Sequence, residues 1–156
     1  MFEQTNSVDE LTNWKGHMEA DYLYTAGPIG DEFFTRLRDD GTLVANTCPE
    51  CGTTFVPPRL YCEDCFVELE AEFEELPGTG TVETYTVARI DTRERELDEP
   101  RVLAMIAMDG ADTSLLHEVA ADPAAVETGM AVQAMCKDPD DRTGEMTDIV
   151  HFEPVE

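Results

Sequence analysis

The sequence predicts a mostly β protein: N-terminal helices, then a cysteine-clamped ribbon, then a small closed barrel of the OB type. Three observations carry that prediction. The stretch CPECGTTFVPPRLYCEDC, Cys48 to Cys65, holds two Cys-x-x-Cys knuckles ten residues apart. Beyond Cys65 apolar residues recur at every second position, the period of a strand with one wet face. A single short helical signal interrupts these strands, and strands, short helix, strands is the order of an OB barrel. The expected division is residues 1–43 for the helical segment, 44–70 for the ribbon and 71–156 for the barrel.

Taken in order, Ser7 followed by Glu10 reads as a capping box that opens a short helix through VDELTNW. YLYTAGPIG reads as a loop, and a second helix is predicted from about Asp31, with Phe33, Phe34 and Leu37 on one face and Gly41 as a left-handed C-terminal cap. After the cysteines, Val67, Leu69, Ala71 and Phe73 alternate with Glu68, Glu70, Glu72 and Glu74, which predicts a strand. Pro77, Gly78 and Gly80 punctuate it. TVETYTVARI, RVLAMIAMDG with its Asp-Gly turn, and TSLLHEVA follow as three further strands. Asp122-Pro123 predicts the N-cap and first residue of a short helix PAAVET closed by Gly129, before last strands in MAVQAMCKD and TDIVHFEPV.

Composition narrows the function classes. At 42% hydrophobic residues the chain has material for a core, so wholesale disorder is not expected. No apolar run reaches the length of a membrane span, and the N-terminus carries neither a basic nor an apolar export region, so a cytoplasmic location is expected. Ten basic against thirty-five acidic residues give −25, with Lys15 and Lys137 as the only lysines. Such a surplus repels itself in dilute buffer and is screened at molar salt, where the Debye length falls to about 3 Å. Because the acids are scattered along the whole chain, adaptation to a salt-rich, halophilic cytoplasm is the favoured reading over a dedicated acidic function. The same charge, without any Lys/Arg run, puts nucleic acid second among partners.

The four thiols Cys48, Cys51, Cys62 and Cys65 suit a closed tetrahedral metal site. A two-residue gap turns both sulfurs of a knuckle inward, and Gly52 supplies backbone freedom after Cys51. Structural zinc is favoured, and iron in the same sulfur geometry stays as an alternative. Disulfides conflict with a cytoplasmic address, and a thioredoxin-like redox site needs one such motif, not a facing pair. Cys136, in alternation with Met130, Val132 and Ala134, reads as a small hydrophobe in the barrel.

FFTRLRDDGTLVANTCPECGTTFVPPRLYCEDCF, GTGTVETYTV, EPRVLAMIAMDG and DPAAVETGMAVQA together resemble the thiolase-associated zinc-ribbon/OB-fold proteins, acyl-CoA-associated and long catalogued as a domain of unknown function. The likeness runs from about Tyr22 to the C-terminus. It implies N-terminal helices, a rubredoxin-like zinc ribbon and a C-terminal OB-fold barrel. It also implies a non-catalytic accessory or scaffold role: binding a thiolase-superfamily enzyme and helping to hold acyl-CoA. In archaea the members resemble the subunit bridging acetoacetyl-CoA thiolase and hydroxymethylglutaryl-CoA synthase. Where family members often carry a basic residue before the first cysteine, this chain has Thr47.

A CoA site needs cations for its phosphates and a stacking surface. Pro57-Pro58 forms a stiff ledge that aims Arg59, with Phe55 and Tyr61 beside it; Phe55, Pro58, Arg59 and Tyr61 are therefore the expected contacts for CoA or a partner. The alternative for Arg59 is a surface ion pair. Arg89, Arg93, Arg95 and Arg101, interleaved with acids, read as a solvated ion network. His17, His117 and His151 have no partner at catalytic or ligand spacing, and no Ser-His-Asp order or phosphate-binding glycine loop stands out, so independent catalysis is not expected. Two rivals remain: an OB-fold single-strand nucleic-acid binder, which Tyr85 as the only aromatic of the central strands argues against, and an enzyme acting on acyl-CoA alone.

Overall fold

A computed structural model describes residues 24–93 and 95–155. The helix expected over VDELTNW lies outside the described residues.

Helix α1 runs over Gly27–Asp39 and starts earlier than Asp31, inside the stretch read as a loop. Pro28 explains the early start, because its fixed φ suits a first turn whose N–H groups have no partner anyway. Ile29, Phe33 and Leu37, one turn apart, form the buried stripe, and Phe34 packs its ring edge-on against Phe33 at 5.4 Å. Gly41 ends the helix as expected: at φ +71° its N–H reaches the carbonyls of Arg36 and Leu37.

Strands β1 (Leu43–Thr47), β2 (Thr54–Phe55) and β3 (Glu74–Leu76) make an antiparallel sheet ordered β2-β1-β3. Leu43, Val44, Ala45 and Asn46 are all buried, so β1 shows no alternation for sequence reading to find. Conversely, the alternation over residues 67–73 is not a sheet strand. Only an isolated bridge, Tyr61 to Glu68, forms there, and pairing with β1 begins at Glu74. Leu69 alternates inward because it fills the floor of the cysteine knuckles beside Phe55, not because a neighbouring strand covers it.

Strands β4 (Thr79–Ile90), β5 (Glu96–Met108), β6 (Ser114–Val119), β7 (Ala131–Cys136) and β8 (Ile149–Pro154) close a barrel in the order β4-β5-β6-β8-β7. All pairings are antiparallel except β6 with β8, which run parallel. This is the expected OB barrel. The predicted Asp-Gly turn forms after β5, with Gly110 at φ +88° and Ala111 N–H donating to the Met108 carbonyl. PAAVET is a single turn, not a helix: the N–H groups of Ala125 and Val126 both reach the Asp122 carbonyl. Asp122 caps it through Ala124, but Gly129 at φ +93° turns back to hydrogen-bond Val82 before a second turn can form.

Residues of α1, β1, β3 and the barrel share one core, with Phe33, Leu37, Val44, Ile106 and Phe152 almost wholly enclosed. Gly80 is where that closure is tightest, because it pairs with both Met108 and Val132. A Cβ there would stand 2.6 Å from the Ala107 carbonyl oxygen and 2.8 Å from Ile106 Cγ2. Gly80→Ala is therefore expected to destabilise the barrel by about 2–3 kcal/mol, seen as a lower denaturation midpoint with unchanged slope. The second glycine of GTGTV is thus a barrel-closing residue.

Candidate metal centre and its surroundings

The two knuckles are built alike. Cys48 donates its N–H to Thr53 and accepts from Gly52; Cys62 donates to Val67 and accepts from Phe66. Each loop reverses through a left-handed residue right after its second cysteine, Gly52 at φ +78° and Phe66 at φ +58°. A phenylalanine in that conformation is uncommon, and its ring is 83% exposed.

All four sulfurs lie within 4.8 Å of one another, and Cys51 and Cys62 are 3.7 Å apart. Thiolates at the corners of a tetrahedron around Zn²⁺, bonded at about 2.3 Å, stand about 3.8 Å apart. The arrangement fits, and it excludes cystine bridges, whose sulfurs sit about 2 Å apart. All five cysteines of the chain are free. Cys51 is pushed down to about 6, chiefly by the Thr53 hydroxyl 3.2 Å away and then by the Thr53 backbone. Cys65 is pushed up to about 12, first by its hydrogen bond with Cys51 and then by burial. Thiolates so crowded do not all ionise without a cation among them, and a divalent ion supplies that charge. Four protein ligands complete the tetrahedron and leave no open position, which is the structural type of site.

The expected contact residues divide into two pairs. Phe55 and Pro58 are buried, whereas Arg59 and Tyr61 reach the surface. Asn46, itself buried, clamps the Arg59 backbone: its side-chain amide donates to the Arg59 carbonyl at 2.8 Å, and its oxygen accepts from Arg59 N–H at 3.0 Å. The Arg59 guanidinium lies 4.8 Å above the Phe55 ring and pairs with Glu63 at 2.6 Å. Phe55 is thus the floor beneath the arginine. The ribbon is also stitched to the barrel: Thr54 N–H donates to Asp112, and Val56 exchanges hydrogen bonds with the Thr113 hydroxyl at 2.8 and 3.1 Å. Sequence reading missed Asp112 and Thr113, since nothing local marks contacts 57 or 58 residues away.

Among the arginines of the β4–β5 region, Arg95 pairs with Asp91 at 2.6 Å and Arg101 grips Glu118, as an ion network requires. His117 packs on Phe152, and His151 contacts Glu153. Cys136 packs against the core, its sulfur 3.6 Å from the Gly41 carbonyl, and burial pushes its thiol up, away from the reactive thiolate.

One residue was missed in sequence. Asp148 is fully buried and accepts from Thr143, Gly144 and Glu145 N–H groups and from Lys137 Nζ at 3.2 Å. In sequence it is one acid among thirty-five, and its local mark, the three-residue spacing from Glu145 that forms a capping box on the turn Met146–Asp148, was missed.

Together, a four-cysteine ribbon stitched to a five-stranded closed barrel defines a zinc-ribbon/OB-fold protein. Residues 36–70 match the ChsH2 rubredoxin-like zinc ribbon domain, and residues 73–136 match the ChsH2 C-terminal OB-fold domain. A DUF35 domain-containing scaffold protein of Methanocaldococcus jannaschii is 32% identical over 124 residues, covering 77% of this chain and 86% of that one. A protein of the same description from Methanothermobacter thermautotrophicus is 28% identical over 91 residues, covering 58% and 68%. The chain belongs to the DUF35 family. A DUF35-family structure from Sulfolobus solfataricus superposes with TM-score 0.61 at 25% identity, covering 82% of this chain and 84% of that one. The Ltp2-ChsH2(DUF35) aldolase shares the fold at TM-score 0.55 and 23% identity, covering 80% and 93%.

Proposed function

We propose that this protein is a non-catalytic scaffold subunit that binds a thiolase-superfamily enzyme and helps hold acyl-CoA for it. The reading names acetoacetyl-CoA thiolase with hydroxymethylglutaryl-CoA synthase as the partners, inside a salt-rich cytoplasm. The observation that carries it is the 32% identity spanning 86% of a protein described as a scaffold. Two structural facts support it. The four-cysteine site is closed, so a zinc ion there holds shape and offers no position for substrate. The hydrogen bonds from Thr54 and Val56 to Asp112 and Thr113 fix the ribbon on the barrel, giving the rigid body a scaffold needs.

In this reading Arg59 and Tyr61 face the enzyme or the CoA, with Phe55 and Pro58 as their support. Nucleic acid is a poor fit to a chain of net charge −25 with no Lys/Arg run to track a phosphate backbone. Affinity isolation of the tagged chain from its native host, with bound proteins weighed by mass spectrometry, tests the reading. The expected result is a thiolase-superfamily enzyme in stoichiometric amount. Recovery of the chain alone, or with nucleic acid, contradicts it.

A further inference from the structure

The barrel is closed, but one of its seams is thin. β6 and β8 meet at a single register pair, Val119 with Phe152, next to which Ala120 N–H reaches the Phe152 carbonyl at 2.7 Å. From Ser114 to Glu118, β6 is in register only with β5; β8 is its neighbour in the closed barrel, but no β8 residue is in register with this stretch, so that edge of β6 carries no ladder. A groove of about 380 Å³ opens there, walled by Leu103 and Leu116 on one side and Met146, Ile149 and Val150 on the other. Leu116 is 63% exposed and Val150 47%, in a chain whose surface is otherwise dominated by carboxylates. A second groove of about 260 Å³, with Ile90 and Leu97 in its wall, shares Arg101 and Leu103 with the first. The apolar strip thus continues onto the β4–β5 hairpin.

We propose that this seam receives an extended, apolar segment of the partner enzyme, added as a strand along the free edge of β6. The proposal rests on the scaffold reading above and names where the enzyme docks. Three observations select a polypeptide of another protein. An unpaired edge offers N–H and C=O groups in strand register, which a peptide satisfies and an acyl chain does not. The rim cations are committed, Arg101 to Glu118 and Lys137 to Asp148, so they do not hold a CoA phosphate or nucleic acid. A second copy of this chain brings its own −25 charge to the contact, which opposes self-association. An exposed apolar edge of this kind is a liability that natural proteins cover.

The test is amide exchange of residues 114–118 in the zinc-loaded chain, alone and with the purified thiolase-superfamily enzyme encoded in the same genome. Affinity is measured in parallel for the wild type and for the double variant Leu116→Glu, Val150→Glu. Both side chains are exposed, so the variant is expected to keep its melting temperature and zinc content. On complex formation the β6 amides should slow about tenfold or more. The double variant should bind about thirtyfold more weakly, since charge is driven into a dry contact. Unchanged β6 exchange in a complex that does form, or equal binding by the variant, overturns the groove assignment and leaves the scaffold reading standing. Slowing produced by acyl-CoA alone, or by raising the concentration of the lone chain, also overturns it by naming another occupant. An enzyme that fails to bind the wild type overturns both.

Discussion

Stripping the metal should unfold the ribbon and leave the barrel folded. The ribbon cannot hold itself: its own buried cluster is Cys48, Phe55, Cys62 and Leu69, and two of those four are metal ligands. Structural zinc in small thiolate sites supplies about 10–16 kcal/mol of apparent binding free energy, far more than burying Phe55 and Leu69 provides at about 1.5–3 kcal/mol each. The barrel has its own interior in Val82, Val102, Ile106, Val119, Val132 and Phe152, a cluster separate from that of the knuckles. A strong chelator, or Cys62→Ser, should therefore erase amide protection across residues 48–69 while the β5 and β6 amides stay protected. Elemental analysis should find about one zinc per chain, the stoichiometry of a closed tetrathiolate site. A metal-free chain with an intact ribbon, or an iron-loaded one, contradicts the zinc assignment.

The second large effect is expected at Asp148. Its carboxylate collects the loop from Lys137 to Glu145, and that loop packs against helix α1 at Gly144, where a Cβ would stand 3.5 Å from the Phe34 carbonyl oxygen. Arg142, held by the Lys137 carbonyl at 2.8 Å, lies against Gly41, where a Cβ would come within 2.7 Å of its guanidinium. Asp148→Ala leaves three N–H groups and an ammonium without their acceptor in a buried place, and should cost about 3–5 kcal/mol. Asp148→Asn keeps the shape but turns a donor toward other donors, and should cost about 2 kcal/mol.

The pH dependence separates charge from shape. Burial works against the Asp148 charge, yet the Thr143 and Gly144 N–H groups and Lys137 prevail and hold its pKa down to about 2, from 3.8. A pKa lowered by folding gives stability that is complete above the unfolded value and is lost as pH falls through the folded one. The stability gap between wild type and Asp148→Asn should therefore be constant from pH 7 to near 4 and shrink between 3.8 and about 2. Denaturant titrations of both proteins across that range measure it. A gap independent of pH would show that the ionised carboxylate contributes nothing.

These two sites mark what sequence reading reaches and what it does not. The knuckles were legible because Cys-x-x-Cys spacing encodes a local geometry that needs no knowledge of the rest of the fold. The strands β4 to β8 were legible because one face of each is buried, and burial writes a period of two into the residues. The same rule misled at Val67–Phe73, where Leu69 turns inward under the knuckles without any strand beside it, and it was silent at β1, buried on both faces. PAAVET carried true capping signals, but the pull of Gly129 toward Val82 allowed one turn only. The Asp112 and Thr113 stitches and the β6–β8 seam are products of long-range pairing. No window of sequence holds both sides of such a contact. Asp148 differs, since Lys137, Thr143, Gly144 and Glu145 are all sequence neighbours, but in so acidic a chain one more aspartate attracts no notice.

In the proposed function this chain positions an acyl-CoA enzyme and makes no bonds itself. The most direct measurement pairs the zinc-loaded chain with a thiolase-superfamily partner whose nucleophilic cysteine has been replaced by alanine, and follows acyl-CoA turnover in the assembled complex. The expected result is a complex that forms normally and turns over nothing. Condensation or cleavage that persists without that cysteine would place the chemistry on this chain and contradict the account.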